Sequence, residues 1–436
     1  MVNESKSWST VPGYAKRFVW VVTLVVGLLS SLIVLGYGDY FYLGNPEHPD
    51  NDDVKYLHTA RVLINEGVLS YNTSDQPSTY IMPGMPFVIA AFMLVFGQGD
   101  EAVIALRLFQ CLLQALCIPF IFWLAYRVFT VRTALIAIGI SAIYLPDYFS
   151  SGVILSESVF RTIFLLLIIV MMVALEKRRT SWYLLVGLLV ATAAYFKPHS
   201  TLLPVLFLLF WWKQRYTWKE MMKYTAAIGL VFVILLSPWW IRNVVTFDKF
   251  VVFTESSGNP FLLGTFINFQ EPDAGFYEEY PEHKDVLMLG SDNQLKERGY
   301  DMLAYHLKHN PLLLLYWFTI GKVGSLYVLA YYWKPLLGIE MIAAHIFQVI
   351  LLIIGVCGVV MTLRKLRQWP NAGILLASLG YFSFIYIPFV AFSRYGYPNM
   401  FLLIIFAAFF IDRTWAARYE KKMNKKTRYH SVSGGS

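Results

Sequence analysis

HPDNDDVKYLHTARVLINEG, residues 48–67, sets three carboxylates, Asp50, Asp52 and Asp53, against the start of an amphipathic helix. Soon after it comes STYIMPGMPFVIAAFMLVFG, residues 78–97. This proline-marked apolar run is too short to cross a bilayer, which takes about 20 apolar residues. An acid cluster, a surface helix and a short apolar helix thus share one stretch, residues 39–101. The combination predicts a site built where water meets lipid.

The rest of the chain supplies the lipid side. With 57% hydrophobic and only 15% charged side chains in 436 residues, the composition is too apolar for a soluble globular protein. Uncharged runs such as FVWVVTLVVGLLSSLIVLGYG (18–38) and IFQVILLIIGVCGVVMTL (346–363) reach membrane-spanning length. Lys16 and Arg17 before the first run would also suit a secretory signal, but the run exceeds a signal core and no clear small-x-small site follows, so it reads as a retained span. Cys111, Cys117 and Cys357 all fall inside apolar runs, which suits small core residues better than disulfides or metal ligands. The net charge of +8 lies largely in short loops and the tail, where it sets topology, so nucleic acid is not a partner.

Placing Lys16 and Arg17 in the cytoplasm puts the acidic stretch outside. If residues 83–96 crossed the membrane, Arg127 and Arg132 would end up outside; as an interfacial helix it returns them to the cytoplasm. Runs at 18–38, 102–126, 133–144, 159–175, 183–196, 202–212, 226–240, 341–363, 373–390 and 400–411 then give about ten spans. Each basic cluster falls on one side: Lys177 to Arg179, then Lys213, Arg215, Lys219 and Lys223, then RKLRQW at 364–369. The expectation is an all-α polytopic protein with both termini cytoplasmic: a short N-terminus (1–17), a membrane domain (18–412) and a basic tail (413–436) near anionic lipid. Residues 242–310 form a second large external loop, in which Leu295, Met302, Leu303 and Leu307 put an amphipathic helix at 293–308. Residues 311–330, interrupted by Lys322, read as interfacial.

Several charged residues then share the outer face. Acids at a helix start are common caps, stabilised by free backbone amides and the helix dipole, but three in four residues exceed what a cap needs. One of them is therefore a candidate general base or acceptor-orienting carboxylate. Glu157, in PDYFSSGVILSESVF, enters the membrane from the same face, where a carboxylate is expensive and points to function. Asp147 nearby reads as a loop residue. Lys197 in YFKPHST, Arg242 in SPWWIRN and Arg394 in FSRYGYP each stand beside a proline where a span ends. Singly, each would snorkel to the headgroups. Three together, on a face where cations are sparse, suit an anion such as phosphate. His58, His199, His283, His306 and His309 make no metal spacing beyond the weak 306/309 pair, while a divalent ion between Asp52 and Glu157 stays open. No nucleotide-binding glycine pattern stands in a credible context.

These motifs, in this order, resemble bacterial GT-C membrane glycosyltransferases of family 39, the protein mannosyltransferase-like group with its RgtA/B/C/D-like and aminoarabinose transferase relatives. The resemblance rests on the acid pair with Tyr56, Ala60 and Gly67, on PGMPFVIAAFMLVFG with Arg107 after it, and on LSESVF. It continues through YFKPHSTLLP, SPWWIRNVVTF with SSGNPFLLGTF, and SRYGYP, from about residue 18 to residue 412. It implies an inverting transferase that takes a sugar from a polyprenyl-phosphate carrier at the outer face and passes it to a lipid, glycan or protein acceptor. Asp52, which stands four residues before the tyrosine, matches the leading catalytic acid, Glu157 the second acid, and Lys197, Arg242 and Arg394 the cations near the lipid phosphate. The family often has acid-glutamate where this chain has Asp52-Asp53, so either aspartate fits the catalytic role. The resemblance does not decide metal dependence. The competing class is a translocator of lipid-linked sugars, for which charges near mid-membrane and broken helices would be expected.

Overall fold

The structure, a computed structural model, describes residues 6–71 and 76–433, with side chains as far as Arg418. The described residues are helical with irregular connections, and their only β feature is an isolated bridge between Leu336 and Ile339.

Helix α1 (Gly13–Tyr37) buries Val19, Val22, Val26 and Ile33 on one side and exposes Leu24, Leu28, Leu32 and Leu35 on the other. A helix apolar all round, with its outward leucines bare, is made for lipid rather than water. After it come α2 (Asp52–Glu66), α3 (Gly84–Phe96), and the long α4 (Asp100–Val128). At about 1.5 Å per residue, the 13 residues of α3 reach only about 20 Å. α5 (Val131–Ala142) and α6 (Leu145–Gly152) meet at a bend of 53°. α7 (Glu157–Lys177) is buried along most of its length, and α8 (Thr180–Ala194) follows it back.

Among the described residues, six helices are long and apolar enough to cross a membrane, or seven if the bent α5–α6 pair is one span. Three of the ten expected runs fall short of that length or are broken. α8 has 15 residues, and the 373–390 run is helical only as α17 (below) over 13. The 202–212 run is a 3-10 turn at Pro198–Leu206 leading into α9 (Phe207–Lys213). Pro204 explains that break, since it removes an N–H that an α-helix would use.

α10 (Trp218–Phe247) leads to the second large loop, which folds as α11 (Gly258–Thr265), α12 (Ala274–Glu279) and α13 (Asp292–His309). These close a small core of their own around Leu262, Phe276, Leu295, Met302 and Tyr305. The helix expected at 293–308 is there, but its buried face carries Tyr305 while Leu307 is exposed. The segment expected to be interfacial is α14 (Pro311–Tyr316), a π turn at Trp317–Gly321, and α15 (Lys322–Tyr327). α16 (Met341–Arg364), α17 (Ala372–Phe384), α18 (Ser393–Gly396) and α19 (Met400–Ser433) complete the chain.

The first turns of α19, from Met400 to Phe409, are buried on every side, and with α4, α5 and α7 they make the centre of the bundle. The two ends of the bundle differ. At one, Arg127 pairs with Glu176, Lys6 and Arg127 reach backbone carbonyls of each other's segments, and Arg178 bonds the Gln214 carbonyl. At the other lie Asp52, Glu157, Lys197 and Arg394.

Candidate active site

The two adjacent aspartates of α2 face different ways. Asn51 caps the helix, its side chain accepting the Asp52 N–H at 2.7 Å, and both acids sit in the first turn where the dipole favours them. Asp53 is fully buried, and its two oxygens accept the N–H groups of Leu43 (2.7 Å) and Gly44 (3.2 Å). It therefore fastens the chain leaving α1 to the start of α2. Burial pushes its carboxyl up despite those amide bonds. Asp52 points the other way, with its side chain 41% exposed.

Three other segments deliver charge to Asp52. Glu157 opens α7 and is buried. Lys197 follows α8, whose end is set by α3: the Gly84 N–H donates to the Tyr195 carbonyl at 2.9 Å, and a Cβ at Gly84 would come within 2.4 Å of that oxygen. The glycine of PGMP is thus what lets α3 press against the turn that presents Lys197. Arg394 lies in α18, where Gly396 backs onto the Leu326 carbonyl so closely that any Cβ would collide at 1.9 Å.

The result is a chain of alternating charge. Arg394 Nη1 donates to Asp52 Oδ2 at 2.7 Å, and its Nε donates to Glu157 Oε1 at 2.6 Å. Lys197 Nζ donates to the same Glu157 oxygen at 2.7 Å, while Glu157 Oε2 is buried with no hydrogen-bond partner among the described residues. Asp52 Oδ1 accepts from the Tyr71 hydroxyl. Tyr71 in turn stacks on Tyr80, with ring centroids 5.4 Å apart, and packs at an angle on Tyr56. Partial burial pushes the Asp52 carboxyl up, but Arg394 and the Tyr71 hydroxyl, with help from Lys197, outweigh it and hold the group below the usual carboxylate value. Desolvation and the Asp52 charge push the Tyr56 hydroxyl well above the ordinary phenol range. Burial pushes the Tyr71 hydroxyl up too, as do its neighbours Tyr56 and Asp52. Both stay protonated, so Tyr71 acts as a donor.

Four of the six residues singled out from sequence, Asp52, Glu157, Lys197 and Arg394, are therefore joined through hydrogen bonds. Asp53 is turned away into the fold. Arg242 is engaged elsewhere: Nη1 donates to the Ser78 carbonyl at 3.0 Å and Nη2 to the Leu69 carbonyl at 3.3 Å. Because the Ser78 N–H also bonds the Leu69 carbonyl, the guanidinium clamps the neck of the loop that carries Tyr71. The open question of a divalent ion between Asp52 and Glu157 meets a positive group already in place, since Arg394 bridges those two carboxylates. No cluster of three or more potential metal ligands occurs among the described residues, and the arrangement does not fit such an ion.

Asp147 corrects the reading of it as a loop residue. It lies in α6, fully buried, and pairs with Arg161 one turn into α7 from Glu157. Arg161 went unread, although an arginine inside ESVFRTIFLLLIIV is a usable signal because charge in a span is costly. Tyr71 was also missed, and nothing in its local pattern marks it. Arg107, matched only as part of a motif, is buried and staples the Gly38 and Gly152 carbonyls.

Residues 75–241 match the family model described as dolichyl-phosphate-mannose-protein mannosyltransferase. The oligosaccharyltransferase of Archaeoglobus fulgidus in its apo form aligns over 97% of this chain with a TM-score of 0.56 at 13% identity. The chain has a GT-C fold. The oligosaccharyltransferase AglB from Archaeoglobus fulgidus, in complex with an inhibitory peptide and a dolichol-phosphate, aligns over 95% with a TM-score of 0.55 at 14% identity. The chain spans about half of these relatives' length, 53% and 52%. ArnT from Cupriavidus metallidurans, bound to undecaprenyl phosphate, aligns over 89% of this chain and 78% of its own, with a TM-score of 0.41 at 16% identity. No curated protein matches the sequence. The GT-C fold thus agrees with the resemblance carried by the ordered motifs.

Proposed function

We propose that this chain is a membrane glycosyltransferase that moves a hexosyl- or pentosyl-type sugar from a polyprenyl-phosphate donor to a cell-envelope acceptor, with inversion, at the outer face of the membrane. The observation that carries the reading is the Asp52–Arg394–Glu157–Lys197 chain, which sets a carboxylate beside two fixed cations at one end of a GT-C bundle. A guanidinium has five N–H donors, and Arg394 uses two of them on carboxylates; an ammonium has three, and Lys197 uses one. The remainder can take the donor phosphate.

The step is a single displacement. An acceptor oxygen attacks the anomeric carbon of the sugar, the bond from that carbon to the phosphate oxygen breaks, and the polyprenyl phosphate leaves with the electron pair. Arg394 and Lys197 stabilise the charge growing on it, in a partly dry site where such donors are most effective. Asp52, ionised at neutral pH, orients an acceptor hydroxyl and takes its proton late, when the hydroxyl has become acidic. For a phosphate acceptor, orientation suffices. An apolar groove of about 450 Å³, lined by Leu202, Pro204, Val205, Leu208, Ile228 and Phe232 on the segment that follows Lys197 and on α10, suits a prenyl tail. With Arg127, Arg178 and their neighbours at the cytoplasmic end, both termini would be cytoplasmic. No step is assigned to a metal.

Transfer of radiolabelled sugar from a panel of polyprenyl-phosphate donors to membrane extract, by wild type and Asp52→Asn, tests this. Loss of transfer in a folded variant supports the reading. Saturable donor binding without transfer from any donor would replace it with a translocator of lipid-linked sugar.

A further inference from the structure

One helical turn beneath the charged chain, a second set of ionised groups has no part in the proposed step. Arg161 Nη1 donates to Asp147 Oδ1 at 2.5 Å, to Gln114 Oε1 at 2.7 Å and to the Tyr397 hydroxyl at 3.2 Å. Gln114 Nε2 closes the ring on Asp147 Oδ2 at 2.6 Å, and the guanidinium carbon lies 5.2 Å from the Tyr397 ring centre. All four side chains are buried. Arg161 thereby joins α4, α6, α7 and the segment that follows α18.

Two of these groups sit next to the site. Arg161 is one turn along α7 from Glu157, and Tyr397 is three residues after Arg394. The far side of that segment is blocked, because Gly396 is already against the Leu326 carbonyl. A second tie runs from α6 to α7 through the Ser150 and Ser158 hydroxyls, 2.7 Å apart. So the Arg161 bonds hold both the helix of Glu157 and the turn of Arg394.

Stability does not explain such a pair. Taking two ions out of water costs several kcal/mol each, and packed apolar side chains of the same volume often do as well or better. This pair is also poorly satisfied, since Arg161 Nε and Nη2 meet no acceptor among the described residues. What the pair supplies is direction: a bridge of fixed geometry from Asp147 to Tyr397.

We propose that Asp147, Arg161 and Tyr397 are positioning residues that set Arg394 against Glu157 for the donor phosphate. The inference rests on reading the charged chain as the phosphate site. A structural role and a positioning role then separate in the variant Asp147→Leu/Arg161→Met, which makes the pair apolar, and in Tyr397→Phe, which keeps the ring and removes the hydroxyl.

The experiment uses the full chain in lipid nanodiscs, measuring melting temperature, binding of undecaprenyl phosphate, and donor and acceptor KM where transfer is found. For the double variant a melting temperature equal to or above wild type is expected, with phosphate binding weakened about tenfold or more, the scale of a lost charge-assisted bond. Tyr397→Phe should weaken phosphate binding and raise donor KM in the same direction with acceptor KM unmoved. Wild-type binding in the folded double variant, or in Tyr397→Phe if the double variant does not fold, overturns the inference. Absence of saturable phosphate binding by wild type would instead remove the reading of the site on which it rests.

Discussion

Two sets of opposite charges lie one helical turn apart along α7, and they differ in access. In the outer set the Asp52 side chain is 41% exposed and that of Lys197 13%, and both cations have donors to spare. In the inner set the Asp147 and Arg161 side chains are each 1% exposed. The chemistry is alike, since each is an arginine on a carboxylate in a poorly screened setting. Only the outer set can exchange one of its partners for a ligand. An ion pair open on one side is a binding site in waiting, whereas a closed one can act only through what it holds still.

That contrast can be broken at several points. The largest effect is expected at Asp52. Asp52→Asn keeps the shape and removes the negative charge and the proton acceptor, and transfer should fall by about a thousandfold, within the range for a positioned base. Residual transfer near the wild-type rate would move the catalytic role off this residue. Next comes Arg394→Lys, which keeps the charge and loses the fork that reaches both Asp52 and Glu157. Donor kcat/KM should drop about a hundredfold, as for loss of charge-assisted bonds. An unchanged value would mean that point charge alone is used.

Tyr71→Phe should act more gently and through pH. The Tyr71 hydroxyl helps hold the Asp52 carboxyl low, so its removal raises that value. Activity that needs the carboxylate is lost as pH falls through its pKa, so the acid limb of the pH–rate profile should move to higher pH, with about a tenfold loss at most at neutral pH. A limb that stays put or moves to lower pH would contradict the assignment. The smallest catalytic effect is expected at Asp53. Asp53→Ala leaves the Leu43 and Gly44 amides unpaired and should cost about 1–3 kcal/mol of stability, seen as a lower melting temperature. The protein that remains folded should keep its donor and acceptor KM.

The sequence carried more of the outer set than of the inner one, for a physical reason. Topology alone sorts charges by side of the membrane, and Asp52, Glu157, Lys197 and Arg394 stand out as expensive charges at one face. It says nothing of which of them touch, because residues 342 positions apart meet only through packing. Arg242 shared every sequence feature with Lys197 and Arg394, and only the fold turns its guanidinium to two carbonyls instead. Asp53 looked equal to Asp52, and only the direction of its side chain separates them. Asp147 sat beside a proline in a polar-looking stretch, so the bend between α5 and α6 that buries it could not be read from pattern. The helices were legible from hydropathy where they are continuous; Pro204 broke the 202–212 run, and the π turn before Lys322 interrupted residues 311–330.

The most direct test of the outer set is a cryo-electron microscopy map of the full chain with a polyprenyl phosphate bound. The phosphate is expected against Arg394 and Lys197, with the prenyl chain running into the groove past Leu202 and Leu208. A phosphate seated at Arg242, or among the cations at the opposite end of the bundle, would contradict it.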